Sequence, residues 1–155
     1  MIRRAQEKDI PAIMSLLLQV NMVHHRGRPD LFKGPATKYT REELLALFKD
    51  DAAPVFVYLD GEGRVLAHCF CIFRQEKNSG LMTDVKTLYI DDLCVDEQAR
   101  GRGIGREIYG FVQDFARQSG CYNLTLNVWT LNEAALRFYE KCGLKPQKIG
   151  MEAIL

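Results

Sequence analysis

Val95-Asp96-Glu97-Gln98-Ala99-Arg100-Gly101-Arg102-Gly103-Ile104-Gly105 is the stretch on which the fold of this chain turns. Before it, Val85 to Val95 reads as a strand. After it, Ile104, Ile108, Phe111, Val112 and Phe115 recur at helical spacing, with Arg106, Glu107, Gln113, Asp114 and Arg117 on the opposite face. A strand, a glycine-rich bend and an amphipathic helix aim several main-chain N–H groups at one point. The helix adds about half a positive charge there. Glycines let the main chain approach an anion without Cβ atoms in the way. The bend therefore suits a pyrophosphate. It also suits a tight packing turn, and the bend alone does not choose between them. No Gly-Lys-Ser/Thr follows, which speaks against a Walker-type loop. A dinucleotide fold would place its glycines after the first strand, with an acid about 20 residues on. Here they follow the fourth predicted strand, and positions 123–127 offer asparagine and no acid.

Working outward, Ile2 to Ala5 reads as a first strand. Asp9-Ile10-Pro11 opens a helix with Asp9 as N-cap, and Ile13, Leu16, Leu17 and Val20 form its apolar face. Asn21 to Thr37, with Gly27, Pro29, Gly34 and Pro35, reads as a loop. Thr40-Arg41-Glu42-Glu43 is a capping box that starts a second helix. Val55 to Leu59 and Val65 to Phe73 are strands joined by the turn Asp60-Gly61-Glu62-Gly63. Beyond the Ile104 helix come a strand from Tyr122 to Trp129 and a helix from Asn132 to Cys142, closed by Gly143. Lys145 to Leu155 reads as a last strand. Strand, helix, strand near the end implies an α/β sheet with a parallel pair there.

The chain has 155 residues, 47% apolar and 26% charged, which fits one packed domain over residues 1–155. Its 21 basic and 20 acidic residues leave a net charge of +1. That balance argues against nucleic acid as a partner. Five cysteines without a C-x-x-C pair read as reduced thiols in a cytoplasmic protein. No window approaches the roughly 20 apolar residues that span a bilayer, so no membrane partner is expected. MIRRAQEKDI has no apolar segment of the secretory kind. His24-His25 is the one histidine pair, and adjacent histidines rarely reach one metal, so no metal site is expected.

The bend, written Arg100-x-x-Gly103-x-Gly105, resembles the pyrophosphate-binding signature Q/R-x-x-G-x-G/A of the GNAT superfamily of N-acetyltransferases. Asn132-Glu133-Ala134-Ala135-Leu136-Arg137-Phe138-Tyr139-Glu140-Lys141-Cys142-Gly143-Leu144 resembles that family's second block, N-x-x-A-x-x-x-Y-x-x-x-G-F, with Leu144 in place of the usual phenylalanine. The motifs cover about residues 88–146, and the element order matches along the whole chain. The resemblance implies an α/β GNAT fold: a central mixed, mostly antiparallel sheet with a parallel, splayed strand pair, flanked by about four helices. It also implies acetyl-CoA as cosubstrate.

It further implies that the amides of Arg100, Gly101, Arg102, Gly103, Ile104 and Gly105 hold the diphosphate, with the Arg100, Arg102 and Arg106 side chains nearby. Leu93, Cys94 and Val95 would pair with the pantetheine arm, and a main-chain N–H at Leu93 or Val95 would polarise the thioester carbonyl. Asn132 would cap its helix and touch the cofactor. Tyr139 takes the general-acid position, returning a proton to a thiolate whose thiol has a pKa near 8.5, against about 10 for tyrosine. An acceptor amine with a pKa near 10.4 must first lose its proton. Some members of the family carry a glutamate where this chain has Asn127, which cannot accept one. Asp91 and Asp92 are the better candidates, as proton acceptors through water or as binders of a cationic substrate. The loop His24 to Phe32 lies where the family often builds its acceptor pocket, and Trp129 either walls that pocket or fills core.

Three functions fit these observations. The first is acetyl transfer from acetyl-CoA, through a ternary complex, to an amine on a small molecule, a peptide N-terminus or a lysine. The second is an acyl-CoA-binding module without catalysis, which the lack of a base at Asn127 favours and Tyr139 opposes. The third is a nucleotide-binding regulatory domain, which leaves the second block unexplained. Family members often pair, which admits a homodimer.

Overall fold

A computed structural model describes residues 1–155. In chain order the elements are β1 (Ile2–Arg4), α1 (Ile10–Gly27), α2 (Arg41–Leu47), β2 (Val55–Leu59), β3 (Val65–Gln75), β4 (Lys86–Val95), α3 (Ile104–Gln118), β5 (Asn123–Leu126) and α4 (Glu133–Lys141). The five strands form one sheet in sequence order. β1 to β4 are antiparallel, and β4 pairs with β5 in parallel through α3. This is the mixed α/β sheet that the sequence implied.

Alternation along β2 and β3 divides the core into two layers. Phe56, Cys69, Cys71, Leu88 and Ile90 pack under Ile104, Ile108 and Val112 of α3. Val55, Val57, Leu59 and Phe70 pack on the other face against Ile13 and Leu17 of α1 and Leu44 of α2. Each valine, leucine, isoleucine and phenylalanine among them contributes about 1.5–3 kcal/mol on burial. Phe111, expected on the buried face of α3, lies at its rim and is 37% exposed, with its edge against Phe56. No helix is long and apolar enough to cross a membrane.

Local chemistry sets most boundaries. Thr40 and Glu43 exchange the two capping-box hydrogen bonds of α2, at 3.2 and 2.7 Å. α4 ends in a Schellman turn, with the Leu144 amide bonded to the Tyr139 carbonyl and the Gly143 amide to that of Glu140. Asp9 does not cap α1 with its side chain. Its carboxylate is taken by Arg3 at 2.7 and 3.0 Å and by the Gln6 amide at 2.8 Å. The helix runs through the expected loop as far as Gly27, since nothing from Asn21 to Arg26 breaks it.

The tail from Lys145 to Leu155 is not a strand. It runs as exposed chain, with Glu152 paired to Arg28. Pro146 lacks a ladder donor and Gly150 weakens any strand, so this stretch is poorly equipped to extend the sheet beyond the short β5.

Candidate active site

Two irregularities in β4 make the site. The first is a separation of strands. Thr87 to Ile90 pair with Asn123 to Leu126, and there β5 ends while β4 continues to Val95. The strand expected to reach Trp129 leaves the sheet at Asn127, and the gap opens beside Leu93.

The second is a bulge. Phe70 lies opposite Asp92 and Cys71 opposite Ile90, so Asp91 is an extra residue in β4. Neighbouring strand residues normally face opposite ways, yet both carboxylates contact groups on the α1 side of the sheet. Asp91 accepts hydrogen bonds from Tyr39, whose ring stacks on Phe70, and from Lys38, at 2.8 and 2.7 Å. Asp92 meets His68 Nε2 at 2.5 Å, and the His68 ring stands edge-on to Phe70.

The gap holds two adjoining cavities that share lining residues. One, of about 550 Å³, lies between the end of β4, the glycine bend and α4. Gly101 and Gly103 sit at φ +78° and +82°, a region L side chains rarely adopt, and Gly103 is the N-cap residue of α3. Asp96 caps the bend by accepting from the Gln98 amide at 2.9 Å, and Arg100 Nε donates to the Val95 carbonyl at 3.2 Å. The first-turn amides of α3 have no helical partners of their own. A Cβ on Gly105 would come within 3.3 Å of the Phe138 ring. The charged lining is Arg100, Arg106 and Lys141, with no acid. This cradle of free amides and cations fits a diphosphate.

The structure brings Leu93, Cys94, Val95, Arg100, Gly101, Gly103, Ile104, Gly105, Arg106, Asn132 and Tyr139 to this cavity. Arg102 is exposed on the bend and does not line it. The Cys94 thiol turns away toward the Leu16 carbonyl, and burial pushes its pKa up to about 12. Cys94 can therefore serve the site only through its backbone. The Asn132 side chain accepts from the Ala135 amide at 3.2 Å, so the expected cap of α4 is present.

The second cavity, of about 460 Å³, continues past Leu93, Asn132 and Tyr139, which border both. Asp91 and Asp92 line it, with His24, Phe32, Lys38 and Trp129. Phe32 meets Trp129 edge-on with ring centres 5.1 Å apart, and His24 lies 4.9 Å from Phe32. Trp129 is 45% exposed, so it walls the cavity rather than filling core. His25 is turned away and bonds the Phe32 carbonyl. Tyr139 sits where the cavities meet. Burial, and behind it Cys69 and Asp92, hold its phenol protonated well above the ordinary tyrosine range.

His68, like Lys38 and Tyr39, is a site residue that the sequence did not single out. It is completely buried, Nε2 faces Asp92, and Nδ1 has no partner. With its proton on Nε2 the ring donates to the Asp92 carboxylate and fixes it. The signal was one titratable side chain within the apolar run Ala67-His68-Cys69-Phe70-Cys71.

Residues 21–144 match the family model of the Acetyltransferase (GNAT) family. Among curated proteins, the chain is similar to a glucosamine 6-phosphate N-acetyltransferase of Arabidopsis thaliana, 29% identical over 54% of this chain and 63% of that protein. The chain spans about three-fifths of the length of the first curated relatives it matches. Among solved structures it resembles a mutant of the BH1408 protein from Bacillus halodurans, with TM-score 0.96 and 30% identity over 100% of this chain and 99% of that one. A crystal structure of glucosamine-6-phosphate N-acetyltransferase from Arabidopsis thaliana has the same fold, with TM-score 0.72 and 24% identity, covering 99% and 97% of the two chains.

Proposed function

The chain belongs to the acetyltransferase (GNAT) family, and from that premise we propose that it moves the acetyl group of acetyl-CoA directly to an amine in a ternary complex. One observation carries the reading. The cationic, amide-lined cavity and the carboxylate-lined cavity meet at Leu93, Asn132 and Tyr139. A donor and an acceptor bound on either side would adjoin there, which is the main advantage a direct transfer needs.

Acetyl-CoA supplies an activated acyl thioester at one end and a diphosphate at the other. The main chain from Arg100 to Gly105 would hold the diphosphate, aided by Arg100 and Arg106. The end of β4 would take the extended arm, with the amide of Leu93 or Val95 toward the thioester oxygen. Asp92, aligned by His68, takes the proton of the incoming ammonium, directly or through water. Asp91 is already bound by Lys38 and Tyr39, which leaves it a positioning role. Tyr139 gives its proton to the departing sulfur. As the tetrahedral adduct collapses, the second proton on nitrogen restores the Tyr139 phenol, and Asp92 passes the first to solvent, so one proton is released per turnover.

Binding and chemistry are tested separately. Acetyl-CoA at about 100 times its dissociation constant should stabilise the fold by roughly 2.7 kcal/mol, a melting shift of several degrees. A larger shift with ATP or NAD would overturn the cofactor assignment. Thiol release is then followed across amines, amino acids, aminoglycosides and peptides. A firm acetyl-CoA shift with no thiol release from any amine would leave only acyl-CoA binding.

A further inference from the structure

We propose that the second cavity accepts a cationic amine carried on an apolar stem and rejects phosphorylated acceptors. The acceptor would thus differ in class from the sugar phosphate in the names of its curated relatives. The inference rests on the acetyl-transfer reading for its consequence, though the cavity's chemistry stands by itself.

The two halves of the cleft carry opposite signs. The bend side presents Arg100, Arg106 and Lys141 without an acid. The second cavity presents Asp91, Asp92 and Lys38. Lys38 Nζ lies 2.7 Å from Asp91 Oδ2, and the Tyr39 hydroxyl donates to the same oxygen, so this cation is already matched. Asp92 meets only the buried ring of His68. Burial, against a smaller upward pull from Asp92, shifts the His24 ring toward its neutral form. The Ala135 amide in the first turn of α4 is taken by the Asn132 side chain. What remains unmatched at this end is the Asp92 carboxylate. A phosphate there would meet a like charge and no free guanidinium or ammonium.

The walls say what kind of stem follows the ammonium. Phe32, Trp129, Leu126 and Val128 line the same cavity as Asp92 with rings and aliphatic carbon. An ammonium is attracted to the face of a tryptophan, and a ring or alkyl chain gains by leaving water there. A volume of 460 Å³ lies within the range of small-molecule sites, roughly 300–1,000 Å³.

Trp129 is the single tryptophan of the chain, so its emission reports occupancy whether or not chemistry follows. The protein, saturated with CoA, is titrated with phenethylamine, with phenethyl alcohol, with glucosamine and with glucosamine 6-phosphate. Phenethylamine should bind at least tenfold tighter than its alcohol and than the sugar phosphate. Asp92→Asn should abolish the preference for amine over alcohol while leaving the affinity for the alcohol unchanged. Phe32→Ala should weaken both aromatic ligands. Tighter binding of glucosamine 6-phosphate than of glucosamine would overturn the proposal, as would no emission change with any of the four, or an Asp92→Asn protein that keeps its preference. Amine binding without thiol release would instead count against acetyl transfer and leave this selectivity standing.

Discussion

At Tyr139 and His68 the proposed chemistry depends on single atoms. Removing the Tyr139 hydroxyl should lower kcat about 100-fold, the lower end of what a positioned acid contributes. Tyr139→Phe should leave the KM for acetyl-CoA nearly unchanged, because the diphosphate cradle is elsewhere. Burial keeps the wild-type phenol protonated, so wild-type kcat should rise with pH as the amine loses its proton and show no falling limb up to about pH 10. A fall in kcat below that pH would remove Tyr139 as the acid. His68 acts through Asp92 and touches no substrate. His68→Leu should therefore cut kcat about tenfold at constant acetyl-CoA affinity, and His68→Gln, which can still donate to the carboxylate, should restore most of it. A Gln variant as impaired as the Leu variant would make His68 a packing residue only.

The working parts of the elements are the bend before α3 and the bulge in β4. Gly103 begins α3 at φ +82°, and an added Cβ there would meet nothing. Its substitution by alanine would thus be felt in the backbone alone, at about 1–2 kcal/mol. The same change would turn the first amides of α3, so Gly103→Ala should lower both the melting temperature and the affinity for acetyl-CoA, the latter about tenfold. Gly110 sits inside the same helix with open space at its Cβ, and Gly110→Ala should raise stability by about 0.5–1 kcal/mol without touching affinity. Calorimetry of the two variants with and without ligand separates these effects. The bulge is the more informative irregularity. Without the extra residue, Asp91 and Asp92 would face opposite sides of the sheet, and the α1 side would hold one carboxylate.

For the whole molecule, the Arg3–Asp9 pair joins β1 to the start of α1 and makes stability depend on pH. Burial acts to raise the Asp9 pKa, but the bonds from Arg3 and the Gln6 amide outweigh it and hold the carboxylate below its ordinary range. A depressed carboxylate stabilises the fold above its unfolded pKa, near 3.9, and that stability is lost as pH falls through the lower folded value. Asp9→Asn should cost about 2 kcal/mol at pH 7, with the gap to wild type closing below about pH 4. A gap that stays constant down to pH 2 would make the effect one of packing. The order of most elements and both family blocks were legible in the chain, because hydrophobic period, capping residues and glycine turns act within a few positions of one another. Its reading failed where partners are distant. The tail looked like a strand from its own residues, but a strand exists only where a neighbour's ladder receives it. The His24 segment looked like a loop, yet its first turn continues α1. Only the tertiary pairing placed two adjacent aspartates on one side of the sheet and a buried histidine behind one of them. A bulge is a count of residues between two strands, and neither strand alone contains it.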